Sequence, residues 1–342
     1  MTDSLKELAP VMIAATVEEM RSVLEMDVSA ENDPFTGMIH YHMGWRNADF
    51  TPAISESGKH IRPLACLLAC AAAGGDWQQA LPAAAAIEIL HNFSLVHDDI
   101  EDGSPTRRGR KTAWTIWGMP QAINVGDAMF AYAQSAMLGL TDRGISAEIV
   151  VQAMKRFNET CVALTRGQYN DMAFETMDEV TVDEYVAMIR GKTAVLLSLA
   201  TELGALVAGA DMATVANYAT CGLELGLAFQ VIDDILGIWG DEVKIGKSAQ
   251  SDILTKKKTL PVLYGLANSA ELREHYMLSA ETPGFVATAV DLLNASGADE
   301  YAHAQATQHS EKALTALDAA QPQGEAGVAL RKLADMLLNR QS

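Results

Sequence analysis

The 342-residue chain predicts an all-α globule, and three observations carry that prediction. Hydrophobic residues make up 49%, enough for a sizeable core, yet aromatics are only 6%. Ala, Leu, Met and Glu, which favour helix, are abundant along the chain. No regular run alternates Val, Ile and Thr with polar residues, the period-2 mark of strands.

Read in order, residues 1–30 carry a helical pattern (Leu5, Leu8, Met12, Ile13, Val17, Met20). Residues 32–57, with Gly, Pro and Asn, read as a connection. Residues 59–73 are helical and end at Gly74–Gly75. Pro82 opens a long helix through 83–102, which stops in the Gly/Ser/Pro/Thr loop 103–109. Residues 124–140 and 145–165 give further core helices, the latter extendable to Phe174. Thr181 with Glu184 three residues later is a capping box opening 182–190. Long apolar helices follow over 194–207 and 212–236, then a charged loop over 239–258 and helix again over 259–267. Residues 285–342 hold two or three Ala-rich amphipathic helices. With no Pro/Ser-rich linker, low-complexity tract or short repeat, a single domain over 1–342 is expected.

The formal net charge of −19 argues against nucleic acid as a partner. The cations are unevenly placed: Lys59, Arg62, Arg107, Arg108, Arg110, Lys111, Arg190, Lys192, Lys244, Lys247 and Lys256–Lys258 make 13 of the 25 Lys and Arg. An acidic chain that gathers its cations into a few short motifs points to an anionic ligand. Cys66, Cys70, Cys161 and Cys221 read as buried free thiols, which fits a reducing cytoplasm. The first twenty residues lack a basic stretch followed by an apolar one, so no signal peptide is expected. Residues 194–221 are apolar but interrupted by Glu202 and Asp211, which favours a buried core helix over membrane insertion.

Asp98, Asp99 and Asp102 form DDxxD at the end of the apolar helix IEILHNFSLVH. On a helix Asp98 and Asp102 share a face. Two carboxylates there can hold a hard cation while leaving positions for phosphate oxygens, which suits Mg2+. Asp233 and Asp234 end a second apolar helix, ELGLAFQVIDD, with Gln230 one turn back. Like-charged carboxylates in apolar surroundings repel and are costly to bury unpaired, so a cation between the two pairs is expected. Either pair alone could be a solvated helix end. The basic complement lies in Gly58-Lys59-His60-Ile61-Arg62-Pro63, Arg107-Arg108-Gly109, Gly191-Lys192-Thr193, Lys247 and Lys256–Lys258.

These residues resemble a known family. FSLVHDDIEDGSPTRRG is similar to the first aspartate-rich motif of the trans-isoprenyl diphosphate synthases, or polyprenyl synthetases. FQVIDDILGIWGD with GKSAQSDILTKKKTLP resembles the second, GKHIRP their GKxxRP and GKT their KT motif, in family order over roughly residues 55–265. The resemblance implies an isoprenoid synthase-type bundle of antiparallel helices around a deep central cavity, usually a homodimer. It implies Asp98, Asp102 and Asp233 as Mg2+ ligands supported by Asp99 and Asp234. It implies Arg107, Lys192, Thr193, Gln230, Lys247 and Lys257 at the allylic diphosphate, and Lys59, Arg62, His91 and Arg108 at isopentenyl diphosphate.

Two positions depart from the family pattern. His60 stands where Arg is frequent, which would weaken the isopentenyl diphosphate grip slightly. Gly237 replaces the last Asp of the second motif, leaving Asp233 and Asp234, with Asp241 nearby. Phe93, five residues before Asp98, with small Ser94 beside it, would form the floor under a growing chain. An aromatic there with no insertion inside DDxxD resembles archaeal-type geranylgeranyl diphosphate synthases and favours a C20 product, with C15 and C25 or longer left open. Phe93 can also be read as ordinary helix–helix core. A class I terpene cyclase would share the fold but needs no second diphosphate site, which GKHIRP and RRG resemble. A non-catalytic regulatory subunit would typically lose the acidic motifs, and a bare phosphate-binding module leaves the apolar cavity unexplained.

Overall fold

Side-chain caps open α-helices at Asp33, Thr181 and Ser269. Thr181 accepts the Glu184 amide at 3.2 Å and Glu184 returns the bond to the Thr181 amide at 2.8 Å, so the capping box forms as the spacing predicts. The computed structural model describes residues 4–26, 33–53, 58–240 and 251–339. In chain order the α-helices are α1 (Ser4–Leu24), α2 (Pro34–His42), α3 (Ile61–Ala72), α4 (Leu81–Glu101), α5 (Ala113–Trp117), α6 (Met119–Leu138), α7 (Ala147–Thr176), α8 (Val182–Ile189), α9 (Val195–Val207) and α10 (Met212–Trp239). They continue as α11 (Ser251–Leu254), α12 (Leu260–Asn268), α13 (Ala270–Tyr276), α14 (Phe285–Ala295), α15 (Ala298–Ala319) and α16 (Gly324–Leu338). Among the described residues, the named strands are two of two residues each, β1 (Thr106–Arg107) and β2 (Arg110–Lys111), paired antiparallel. The all-α class holds.

The expected connection over 32–57 contains α2 instead. Its sequence, PFTGMIHYH, has weak intrinsic helix propensity. Asp33 caps it by accepting the amides of Phe35 and Thr36, and Pro34 stands in its first turn. Burial of Thr36, Ile39, His40 and Tyr41 does the rest. The loop expected over 103–109 is largely a hairpin, and α6 starts at Met119 rather than 124 because Gly118 and Pro120 punctuate it there. Part of the expected loop 239–258, residues 241–250, lies outside the described residues.

The chain divides into two compact units. Unit 1 comprises residues 1–156, 200–215 and 322–330. In it α4 packs along α6 and against α1 and α3. Ala83–Ala86 are all fully buried, and such small side chains allow close helix approach. A close backbone approach is at Gly204 of α9, where a Cβ would lie 2.2 Å from the Cys66 carbonyl oxygen of α3. Unit 2 comprises residues 157–199, 216–321 and 331–342. One of its apolar clusters joins Tyr185, Ile189, Leu227, Val231, Leu260 and Ala302. Another joins Ile238, Ile253, Val262, Phe285 and Leu293.

Gly204→Ala should therefore destabilise the protein by about 1–3 kcal/mol in urea unfolding, since backbone rather than a movable side chain blocks the methyl group. Gly144→Ala, with φ +78° and open space around it, should cost only the strain of a left-handed residue, about 1–2 kcal/mol.

Candidate active site

In unit 1 the acidic helix end is tied to the hairpin that follows it. Asp99 is 2% exposed and accepts from Arg107 Nε at 2.7 Å, while Arg107 Nη2 donates to Asp98 Oδ2 at 3.2 Å. Burial raises the Asp99 pKa, and Arg107 opposes that shift. Asp98 is partly exposed, and Asp102, the C-cap of α4, is exposed. Arg107 pairs with Arg110 across the hairpin, and the two-residue loop Arg108-Gly109 has φ 51° and 72°. Positive φ at both loop residues matches a type I′ turn. Glycine takes that shape freely, but Arg108 is strained in it, a cost found at functional sites. Arg110 is structural: it donates to the carbonyls of Tyr41 and Arg46 and stacks 4.0 Å above the Tyr41 ring.

The expected isopentenyl diphosphate residues gather beside this hairpin. Gly58 lies against Arg108, such that a Cβ on it would be 2.9 Å from Nη2. Lys59 is exposed. Arg62 Nη1 lies 3.3 Å from His91 Nε2. A guanidinium can only donate, so His91 Nε2 accepts and the imidazole proton belongs on Nδ1. Burial, reinforced by Arg62, lowers the His91 pKa to about 3, so the ring is neutral.

In unit 2 the second acidic pair repeats the arrangement. Asp233 is exposed and Asp234 is 2% exposed. Tyr185 donates to Asp234 Oδ2 at 2.6 Å, Gln230 Nε2 to Oδ1 at 3.1 Å and the Leu260 amide to Oδ2 at 3.3 Å. Burial pushes the Asp234 pKa up to about 6 against these bonds. Thr193 donates to Gln230 Oε1 at 3.0 Å, so Thr193, Gln230 and Asp234 form one chain. Lys192 and Thr193 lie in a π-helical turn, Arg190–Ala194, a feature frequent at functional sites. Lys192 Nζ reaches Asp171 Oδ2 at 2.5 Å. In the lysine run, Lys256 holds the carbonyls of Tyr276 and Leu278, and Lys258 those of Phe174 and Met177, while Lys257 is exposed. Lys247, Lys244 and Asp241 lie outside the described residues.

Sequence reasoning missed Tyr185, Asp171 and Asp252. Gly167 could have pointed to Asp171, one turn later on α7: a Cβ at Gly167 would lie 2.2 Å from the Lys192 amide. Asp252 bears on the Gly237 departure. A Cβ at Gly237 would lie 2.3 Å from Asp252 Oδ2, so that carboxylate packs where a third motif side chain would start. Phe93 meets His97 edge-on at 4.9 Å and Phe130 of α6 at 5.2 Å, and Ser94 donates to the His91 carbonyl at 2.8 Å.

Within each unit the more open aspartates, Asp98 and Asp102 in unit 1 and Asp233 in unit 2, offer only oxygen, a donor type suited to hard divalent cations. Among the described residues, no group of three His, Cys, Asp or Glu side chains is placed to hold a metal ion.

The polyprenyl synthetase family pattern matches residues 45–293. The chain belongs to the polyprenyl synthetase family. It is 42% identical over 300 residues to a geranylgeranyl diphosphate synthase of Mycobacterium tuberculosis, covering 86% of this chain and 85% of the relative. It is 34% identical over 343 residues to a (2E,6E)-farnesyl diphosphate synthase of Mycobacterium bovis, covering 98% and 92%. Among solved structures, a polyprenyl synthetase from Streptomyces coelicolor A3(2) superposes with TM-score 0.85 at 34% identity, covering 95% of this chain and 96% of that one. Members of this family are transferases, and the isoprenoid synthase-type all-α fold expected from the motifs is the fold these structures share.

Three buried imidazoles set an acid limit on stability. Burial, with Arg21 or Arg108 adding to it, lowers His40 to about 4 and His42 to about 3; His91 is lowered likewise. The unfolded imidazoles take up protons near pH 6.5, so the unfolded chain binds more protons below that value. Stability should be full above about pH 6.5 and fall toward pH 4, by up to about 1.4 kcal/mol per pH unit for each histidine. Urea unfolding at stepped pH checks this, and His42→Gln should remove one proton's worth of slope.

Proposed function

We propose that the protein condenses isopentenyl diphosphate with an allylic diphosphate, head to tail and in trans, to give a longer prenyl diphosphate. The observation that carries this reading is the paired design of the acidic ends. Each buries its second aspartate on hydrogen bonds and leaves its first more open, and each lies beside its own cations. The first end also carries a second, separate cluster, Lys59, Arg62, His91 and Arg108, suited to a second diphosphate.

Asp98, Asp102 and Asp233 would hold Mg2+, with Asp252 as an added oxygen donor on the Gly237 side. Bound there, Mg2+ supplies Lewis-acid stabilisation of the charge that develops on the allylic leaving group. Arg107, Lys192, Thr193, Gln230, Lys247 and Lys257 would orient that diphosphate and share its negative charge. Asp171 keeps the Lys192 ammonium in place. Lys59, Arg62, Arg108 and the neutral His91 would grip isopentenyl diphosphate so that its double bond faces the allylic carbon. As the allylic C–O bond breaks, its electron pair leaves with diphosphate; the double bond then forms the new C–C bond, and a proton is lost to the departed diphosphate. Apolar walls would keep water from the cation.

Phe93, backed by Phe130, would stop the growing tail, and C20 is the proposed main product. A homodimer is supported by the apolar residues Met119, Ile123 and Leu138 that α6 leaves exposed. Among the described residues no helix is long and apolar enough to cross a membrane. The four cysteines are free thiols, which supports a cytoplasmic site of action.

Labelled isopentenyl diphosphate, offered with dimethylallyl, geranyl or farnesyl diphosphate, should be incorporated with Mg2+ and not with EDTA. Asp98→Asn and Asp233→Asn should each lower kcat by roughly 10²–10³, the loss typical of one well-placed electrostatic group. Hydrocarbon release from the allylic substrate alone would instead mark a cyclase. Separately, Phe93→Ala should lengthen the main product; an unchanged chain-length distribution would remove Phe93 as the floor.

A further inference from the structure

The hairpin over residues 106–111 is too short to hold its own shape. Its strands have two residues each and two register pairs, Thr106 with Lys111 and Arg107 with Arg110. An isolated two-stranded hairpin is marginally stable at best. Its tip is also strained, since Arg108 has φ 51°. Thr112 and Trp114 join its ends by donating to the Ser104 carbonyl at 3.0 and 2.9 Å. The direction of its tip depends on what the two paired arginines hold.

On the α4 side Arg107 donates from Nε to Asp99 at 2.7 Å and from Nη2 to Asp98 at 3.2 Å. On the other side the anchor is α2 and the turn after it. Arg110 Nη1 donates to the Tyr41 carbonyl at 3.0 Å and Nη2 to the Arg46 carbonyl at 2.6 Å, while the guanidinium stacks 4.0 Å above the Tyr41 ring. The Tyr41 hydroxyl returns a bond to the Lys111 carbonyl at 2.7 Å. Tyr41 thus grips β2 by ring, carbonyl and hydroxyl at once. It is 7% exposed and meets the Trp117 ring edge-on at 5.1 Å, so the grip starts from a packed side chain.

Arg107 and Arg110 are direct partners across the strand pair, and directly opposed residues share a face. Like charges placed so repel. Here each guanidinium has its own acceptors, the carboxylates of α4 for Arg107 and the carbonyls of Tyr41 and Arg46 for Arg110. The second set calls for arginine. A planar fork reaches two carbonyls and offers its face to a ring, which an ammonium cannot do.

We propose that Arg110 is a positioning residue for the transfer reaction: clasped to Tyr41, it fixes β2 and so holds the Arg107 guanidinium against Asp98 and Asp99, where it meets the allylic diphosphate. This rests on the condensation reading above. Arg110, one of the cations gathered around the motifs, then serves the diphosphate through Arg107 and not by touching it.

The test is a double-mutant cycle on kcat/KM for the allylic diphosphate at saturating isopentenyl diphosphate, with each rate taken per folded protein. Arg110→Lys should lower kcat/KM about tenfold, the scale of a lost charge-assisted hydrogen bond. Tyr41→Phe, which removes one neutral hydrogen bond and keeps the ring, should lower it about threefold. In an Arg107→Lys background each effect should shrink to within about twofold, because the group being positioned is gone. A general structural role, or direct contact of Arg110 with the diphosphate, would give the same factor in both backgrounds. That result overturns the proposal, as does an unchanged kcat/KM in Arg110→Lys. If Arg110→Lys fails to fold, Tyr41→Phe carries the same comparison, and an unchanged kcat/KM there overturns the proposal. If the unaltered enzyme does not consume isopentenyl diphosphate, the condensation reading has failed by itself. Crystal structures of the unaltered protein and of Tyr41→Phe and Arg110→Lys then decide the positioning role: Arg107 drawn off Asp99 in the variants supports it, and an unmoved Arg107 overturns it.

Discussion

A carboxylate can be buried only where hydrogen bonds replace the water it loses, and both acidic ends of this protein are organised by that constraint. Asp99 and Asp234 are each 2% exposed. Asp99 is held by Arg107, so the hairpin must close over the end of α4. Asp234 is held by Tyr185, Gln230 and the Leu260 amide, so α8, α10 and the start of α12 must meet at one point. The outward aspartates, Asp98 and Asp233, inherit their directions from these buried neighbours. In each unit the more open aspartate thus stands beside a buried one that hydrogen bonds already hold: Asp99 through Oδ1, Asp234 through both oxygens.

The same logic carries the cations to their places. Gln230 accepts from Thr193 on one side and donates to Asp234 on the other, which connects the turn bearing Lys192 to the acidic end of α10. The Leu260 amide ties in the lysine run, and Lys256 and Lys258 are spent on backbone carbonyls. Close backbone approach is the second device. Gly167 and Gly191 let α7 and the π turn touch, which brings Asp171 within reach of Lys192. Gly237 leaves the space that the Asp252 carboxylate fills, so the missing third aspartate of the second motif reads as an exchange between two segments rather than a simple loss.

Much of this was legible in the sequence, for physical reasons that also explain what was not. The long helices and the Thr181 capping box declare themselves through periodicity and short-range spacing, and the DDxxD and DD pairs through the improbability of clustered carboxylates after apolar helices. Helix α2 did not, because its composition opposes helix and only Asp33, Pro34 and tertiary burial sustain it. The run Lys256–Lys258 reads as three equal charges, yet only the fold shows that its outer members bind carbonyls. Asp171 and Tyr185 look like ordinary helix residues, since each is engaged by a partner 21 or 49 positions away. Such pairings leave no local pattern to read.

The floor proposed at Phe93 shows how packing at a distance could set specificity. Phe93 does not stand alone: Phe130 of α6 tilts against it at 5.2 Å and His97 meets its edge at 4.9 Å. His97 lies so close to α6 that a Cβ at Gly126 would be 2.2 Å from its Nε2, and that nitrogen lies 3.3 Å from the Ile123 carbonyl. Ser94 turns its hydroxyl back onto the His91 carbonyl, so it presents little bulk and no unsatisfied polar group. If Phe93 is the floor, the depth available to a prenyl tail would be a property of the α4–α6 spacing, held by buried alanines and by Gly126, as much as of the aromatic ring itself. On that view a change on α6 that never touches the acidic motif would shift product length as effectively as a change at Phe93.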